Sequence, residues 1–78
     1  MEVREKARIC IEEFVGKAVP EISDDHPLRE YLVDSLELVE FILTLEDEFG
    51  IIIPDSVVAK INTFGEVVQA VQQLIEAK

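Results

Sequence analysis

A chain of 78 residues with a net charge of −10 and 49% hydrophobic residues has room for one small packed core, so it reads as a single domain over 1–78 and not as a disordered segment. The acid excess argues against nucleic acid and anionic membrane surfaces, both of which need a basic footprint, and no apolar run approaches the ~20 residues of a membrane span. One cysteine and one histidine exclude an internal disulfide and a His/Cys metal cluster, and the start, Met1-Glu2-Val3-Arg4-Glu5-Lys6, lacks the apolar stretch of a signal peptide, so a soluble, monomeric, cytoplasmic protein is expected.

The first predicted element is an amphipathic helix from about Glu2 to Ala18. Val3, Ala7, Cys10, Ile11, Phe14 and Ala18 recur at the helical period, and Pro20 is its expected stop. From Val19 to Val33 the period dissolves into Pro20, Ser23, Asp24, Asp25, His26 and Pro27, which is loop chemistry. Ile22, Leu28, Tyr31 and Leu32 are expected to pin this long loop to the core. A second helix is predicted over Ser35–Phe49. Asp34 suits its N-cap, Glu37 can complete a capping box, and Gly50 suits its end. Leu38, Phe41, Ile42, Leu45 and Phe49 form its core stripe. Ile51-Ile52-Ile53 has no second strand to pair with and reads as an extended connector buried against the bundle. Pro54 and Asp55-Ser56 open a short helix to about Ile61. A last helix starts at Thr63, whose hydroxyl and Glu66 fit a second capping box, with Phe64, Val67, Val68, Val71, Leu74 and Ile75 facing the core. The fold class is all-α: a four-helix bundle of three longer helices and a short one, with the long loop between helices one and two.

Charge and apolar surface are both concentrated on the second helix. Residues 34–55 carry seven acids and no base. Leu36, Val39 and Leu43 make a second apolar stripe beside the core stripe, with Glu37, Glu40 and Asp47 around it. One reading is that the bundle wraps more of this helix. The other is a docking face with an apolar centre and an acidic rim, for partners with basic patches. Glu46-Asp47-Glu48 also crowd the last turn, where the helix dipole disfavours negative charge. The acids lack the alternation of an EF-hand loop, so no specific metal site is predicted.

Ser35 would be the first residue of the second helix, beside backbone N–H groups without helical partners, which suits a bound phosphate. It makes a poor catalytic nucleophile. His26 lies nine residues upstream in the loop, and there is no Gly-x-Ser-x-Gly elbow. A hydrolase is therefore disfavoured, whereas modification of Ser35 by another enzyme remains open. Taken alone, Asp34-Ser35-Leu36 is ordinary capping.

Three blocks in order change this: Asp34-Ser35-Leu36-Glu37-Leu38-Val39-Glu40, Leu45-Glu46-Asp47-Glu48-Phe49 and Ile53-Pro54-Asp55. Together with Lys60-Ile61-Asn62-Thr63, this sequence resembles the acyl carrier protein family. The resemblance implies a carrier and not an enzyme. Ser35 would receive a covalent 4′-phosphopantetheine arm from coenzyme A through a Mg²⁺-dependent phosphopantetheinyl transferase, with Asp34 helping that enzyme recognise the site. The arm's thiol would hold acyl groups as thioesters for enzymes of a fatty-acid, polyketide or related lipid pathway. Leu36, Glu37, Val39, Glu40, Leu43, Asp47 and Glu48 would form the docking surface for the transferase, for an acyl- or aminoacyl-ligase and for pathway enzymes. One departure stands out. Most members have Gly two residues before the Asp, but here the run is Tyr31-Leu32-Val33-Asp34. That approach is similar to D-alanyl carrier proteins, so an aminoacyl carrier is the first alternative and an unmodified helical interaction module the second.

Overall fold

The first helix ends at a glycine. In a computed structural model describing residues 2–77, α1 spans Val3–Val15. Gly16 then turns into the left-handed region at φ 75°, with its N–H donating to the Glu12 carbonyl. A side chain is strained at such a φ, so Gly16 is a natural stop. The expected end at Ala18 is corrected. Ala18 is exposed, and Val19 enters the core in its place.

The long loop is bound on two sides. Val19, Ile22, Leu28 and Leu32 are buried, as the sequence suggests, and Tyr31 is half-buried against the His26 ring, 4.6 Å between centroids. From α1, Arg8 donates to the Val19 carbonyl at 2.9 Å and Arg4 to the Ile22 carbonyl at 2.8 Å, while Glu12 accepts from the Val19 N–H at 2.7 Å. Arg4 also pairs with Asp24. On its other side the loop is held by an isolated antiparallel bridge between Pro27 and Thr63. A 3₁₀ turn, Leu28–Glu30, interrupts it.

α2 spans Ser35–Phe49 and closes at Gly50 (φ 63°). α3 covers only Asp55–Val58. The chain goes on to Ile61 in turns whose N–H groups at Lys60 and Ile61 reach back three residues. The short helix predicted to about Ile61 is thus a single helical turn with a 3₁₀-like tail. α4 spans Phe64–Glu76. Ile51 and Ile53 of the connector are buried, but Ile52 points outward, 79% exposed. An extended segment alternates its side chains, so the run cannot bury all three.

The core draws on α1, α2, α4, the long loop and the connector. Ala7 and Ile11 of α1, Phe41 and Leu45 of α2, and Phe64, Val67 and Val71 of α4 are nearly sealed from solvent. Phe14 meets Phe41 edge-on at 5.9 Å, a favoured geometry for two rings. The all-α expectation is borne out. Among the described residues there are four α-helices, no named strand, and no helix long and apolar enough to cross a membrane.

Candidate functional site

Asp34 sets the site by ending the loop in an extended conformation and capping α2. Its carboxylate accepts the Glu37 N–H at 2.9 Å, and its carbonyl accepts the Leu38 N–H at 3.2 Å. Glu37 reaches back to the N–H groups of Val33, at 3.1 Å, and Asp34, at 3.4 Å. The capping box predicted from sequence is therefore complete. It leaves the N–H groups of Ser35 and Leu36, the first two of the helix, with no protein acceptor among the described residues. Ser35 itself is exposed. Its hydroxyl thus projects from the positive end of a 15-residue helix beside two donor groups, and a phosphodiester formed on it would sit in a favourable field. The residues present fit a phosphate-linked arm.

The face that runs from Ser35 along α2 is apolar and unpartnered. Leu36 is 65% exposed, Val39 51% and Leu43 57%. The bundle does not wrap this second stripe. Val33 and Ile52 extend it at either end, both exposed. Sequence reading missed these two as surface residues. The only available signal was the alternation within Ile51–Ile53 and the position of Val33 outside the periodic segment. A narrow cleft of about 150 Å³ opens between α2 and α3, lined by Val39, Ile42, Leu43, Ile53 and Val58.

The acids on α2 divide into two groups. Glu40 and Asp47 are exposed, with no cationic partner among the described residues. The others are engaged. Glu37 is held in the cap. Glu46 accepts the Ile53 N–H at 2.7 Å, fastening the connector to the helix. Glu48 faces Lys6 of α1 at 3.6 Å. Two of the three acids that seem to defy the dipole thus have local partners, and only Asp47 still needs another account. Asp34, Ser35, Leu36, Val39, Glu40, Leu43 and Asp47 are all exposed along α2 and its cap; Glu37 is half-buried and held in the cap.

His26 stays outside this site. Its Nε2 lies 2.9 Å from the Glu30 carboxylate but makes no directed hydrogen bond. Its backbone is the part that matters, because its carbonyl accepts the Phe64 N–H. Cys10 is buried in α1. Burial pushes its thiol up, and the nearby charges of Glu13 and Glu48 add to this, which makes it inert.

Residues 5–71 match the family described as "Phosphopantetheine attachment site". Three solved structures are similar to this chain. A protein described as an acyl carrier protein from Mycobacterium tuberculosis is 30% identical at a TM-score of 0.81, over 91% of this chain and 96% of that one. The acyl carrier protein of Thermotoga maritima is 23% identical at 0.81, over 96% and 93%, which bears on the fold alone. The acetyl actinorhodin acyl carrier protein of Streptomyces coelicolor is 26% identical at 0.71, over 96% and 93%.

Proposed function

The chain belongs to the phosphopantetheine attachment site family of non-catalytic carriers bearing covalent 4′-phosphopantetheine, and on that premise we propose that it carries acyl intermediates as thioesters on an arm joined to Ser35. The observation that supports this most directly is the serine's position. It is exposed, first in α2, flanked by two unpartnered backbone donors and by an apolar face with acids at its edge. In the loading reaction the Ser35 hydroxyl oxygen attacks the pantetheine-linked phosphorus of coenzyme A. The pyrophosphate bond breaks, adenosine 3′,5′-bisphosphate leaves, and the hydroxyl proton passes to the phosphopantetheinyl transferase. Once attached, the arm supplies a terminal thiol for thioester formation.

The chain's own part in this chemistry is to position and present. Asp34 fixes the first turn and offers the transferase a charged landmark. The Ser35 and Leu36 N–H groups, which have no protein acceptor among the described residues, would offer donors to the new phosphodiester. Leu36, Val39 and Leu43 give partner enzymes an apolar anchor, and Glu40 and Asp47, which have no cationic partner among the described residues, attract their basic patches. These partners include an acyl-ligase and the enzymes of a fatty-acid, polyketide or related lipid pathway. In this reading a single carrier domain works in the cytoplasm.

One observation favours a second reading. Leu32, where most family members have Gly, is buried at 3%. The approach to Asp34 is therefore anchored in the core; the Leu-Val-Asp-Ser run itself resembles D-alanyl carriers. Loading by an acyl-ligase against an amino-acid ligase separates the two, and exclusive aminoacylation would overturn the acyl reading.

Intact mass after incubation with coenzyme A, Mg²⁺ and a broad-specificity transferase tests the proposal. One added phosphopantetheine in the wild type and none in Ser35→Ala is expected. A folded wild type that gains no mass beside an active control carrier would count against it.

A further inference from the structure

The apolar face of α2 does not stop at the C-terminus of the helix. At that end, about 22 Å along the helix from Ser35, an open groove of about 790 Å³ runs from α2 onto α4. Leu43, Asp47, Ile51 and Ile52 line one side, and Leu74 and Ala77 the other. Ile52, the most exposed of the large apolar residues, stands on its edge.

Among the described residues, the lining of this groove carries acids and no base. α2 and α4 both end here, so two sets of helix-terminal carbonyls, each carrying partial negative charge, converge on it. Neither helix has a basic residue in its last turn. Asp47 is exposed at the rim, and Glu46 lines the groove beside it. A second copy of the chain is a poor occupant, because it would bring the same acids and its own net charge of −10. A neutral apolar segment would leave the rim uncompensated.

We propose that this groove is a docking site for a cationic amphipathic segment of a partner protein, its apolar side chains lying between Ile52 and Leu74 and its Lys or Arg side chains over Asp47 and the two helix ends. It continues the α2 face through Leu43 and Asp47, but its other wall belongs to α4, which the Ser35 site does not touch. The inference does not depend on whether Ser35 is modified.

The test titrates the isotopically labelled full chain with a synthetic amphipathic Leu/Lys helical peptide. Amide shifts centred on Gly50–Ile52 and on Leu74–Ala77 are expected, with affinity falling as salt rises. Ile52→Asp and Asp47→Lys, both at exposed positions, should each weaken binding at least about tenfold while circular dichroism stays unchanged. Shifts confined to Leu36 and Val39, binding indifferent to both variants, or no binding at all would overturn the proposal. So would sedimentation showing a dimer that Ile52→Asp dissociates, because the occupant would then be a second copy.

Discussion

α2 and α4 start alike. Asp34 and Thr63 each accept the N–H three residues on, and Glu37 and Glu66 each reach back to the N–H groups of the cap residue and the residue before it. The difference lies in the next two donors. In α4 the N–H of Phe64 donates to the His26 carbonyl and that of Gly65 to the Asp24 carbonyl, both at 3.0 Å. In α2 the matching N–H groups, on Ser35 and Leu36, meet no protein acceptor among the described residues. The first side chains differ in the same sense, since Phe64 is sealed in the core and Ser35 stands in solvent. One helix start is closed by the fold and serves stability. The other is capped only as far as the helix requires, and leaves two donors without a protein acceptor and a hydroxyl in solvent among the described residues.

Substitutions at matched positions should pull the two apart. The largest gap is at the first helical residue. Phe64→Ala should cost about 3–5 kcal/mol of stability, whereas Ser35→Ala should stay within about 0.5 kcal/mol, as read by chemical denaturation. Equal losses would mean that Ser35 is structural. Next, a Cβ on Gly65 would lie 2.8 Å from Asp24 Cβ and 3.0 Å from its carbonyl oxygen. Gly65→Ala should therefore cost roughly 1–3 kcal/mol, visible as a lower Tm. Removing the caps should narrow the contrast, with Asp34→Ala and Thr63→Ala each losing about 1 kcal/mol. On the open side, Val39→Glu should change stability by no more than about 0.5 kcal/mol yet reduce partner binding in a pull-down with the transferase. If it unfolds the chain, Val39 belongs to the core.

The smallest effect depends on pH. The N–H groups of Asn62 and Thr63 hold the Glu66 carboxyl below its ordinary value of 4.5. A lowered folded-state pKa means that its contribution is complete above the unfolded value and is lost as the pH falls through the folded one. Glu66→Gln should thus be less stable than wild type at neutral pH, and the gap should shrink in acid. Melting curves across that range check the sign.

What could be read from sequence was whatever is written locally. Both capping boxes and the Gly50 stop involve residues within a few positions of each other, and each formed. Periodicity alone misplaced the end of α1, because Ala18 fits the period after Phe14 even though Gly16 has already turned the chain. Contacts between distant segments left no trace. Gly65 looks harmless until Asp24 is seen packed on it, and Glu46 and Glu48 look misplaced until Ile53 and Lys6 are found beside them. At the candidate site the serine and its apolar stripe stood out in sequence. Glu37 was legible as a cap residue, yet its further bond from the Val33 N–H was not, because that depends on where the loop directs this group.

The strap over α4 also bears on how the chain folds. Residues 24–28 meet residues 62–65 across roughly 40 positions of sequence, which raises the contact order of an otherwise local helical topology. Closing so long a loop costs entropy before any of its hydrogen bonds form. Both first turns can cap themselves from their own sequence, but the Phe64 and Gly65 N–H groups find their acceptors only once the loop has arrived. Pulsed hydrogen exchange during refolding should therefore find the Glu37 and Leu38 amides protected before those of Phe64 and Gly65.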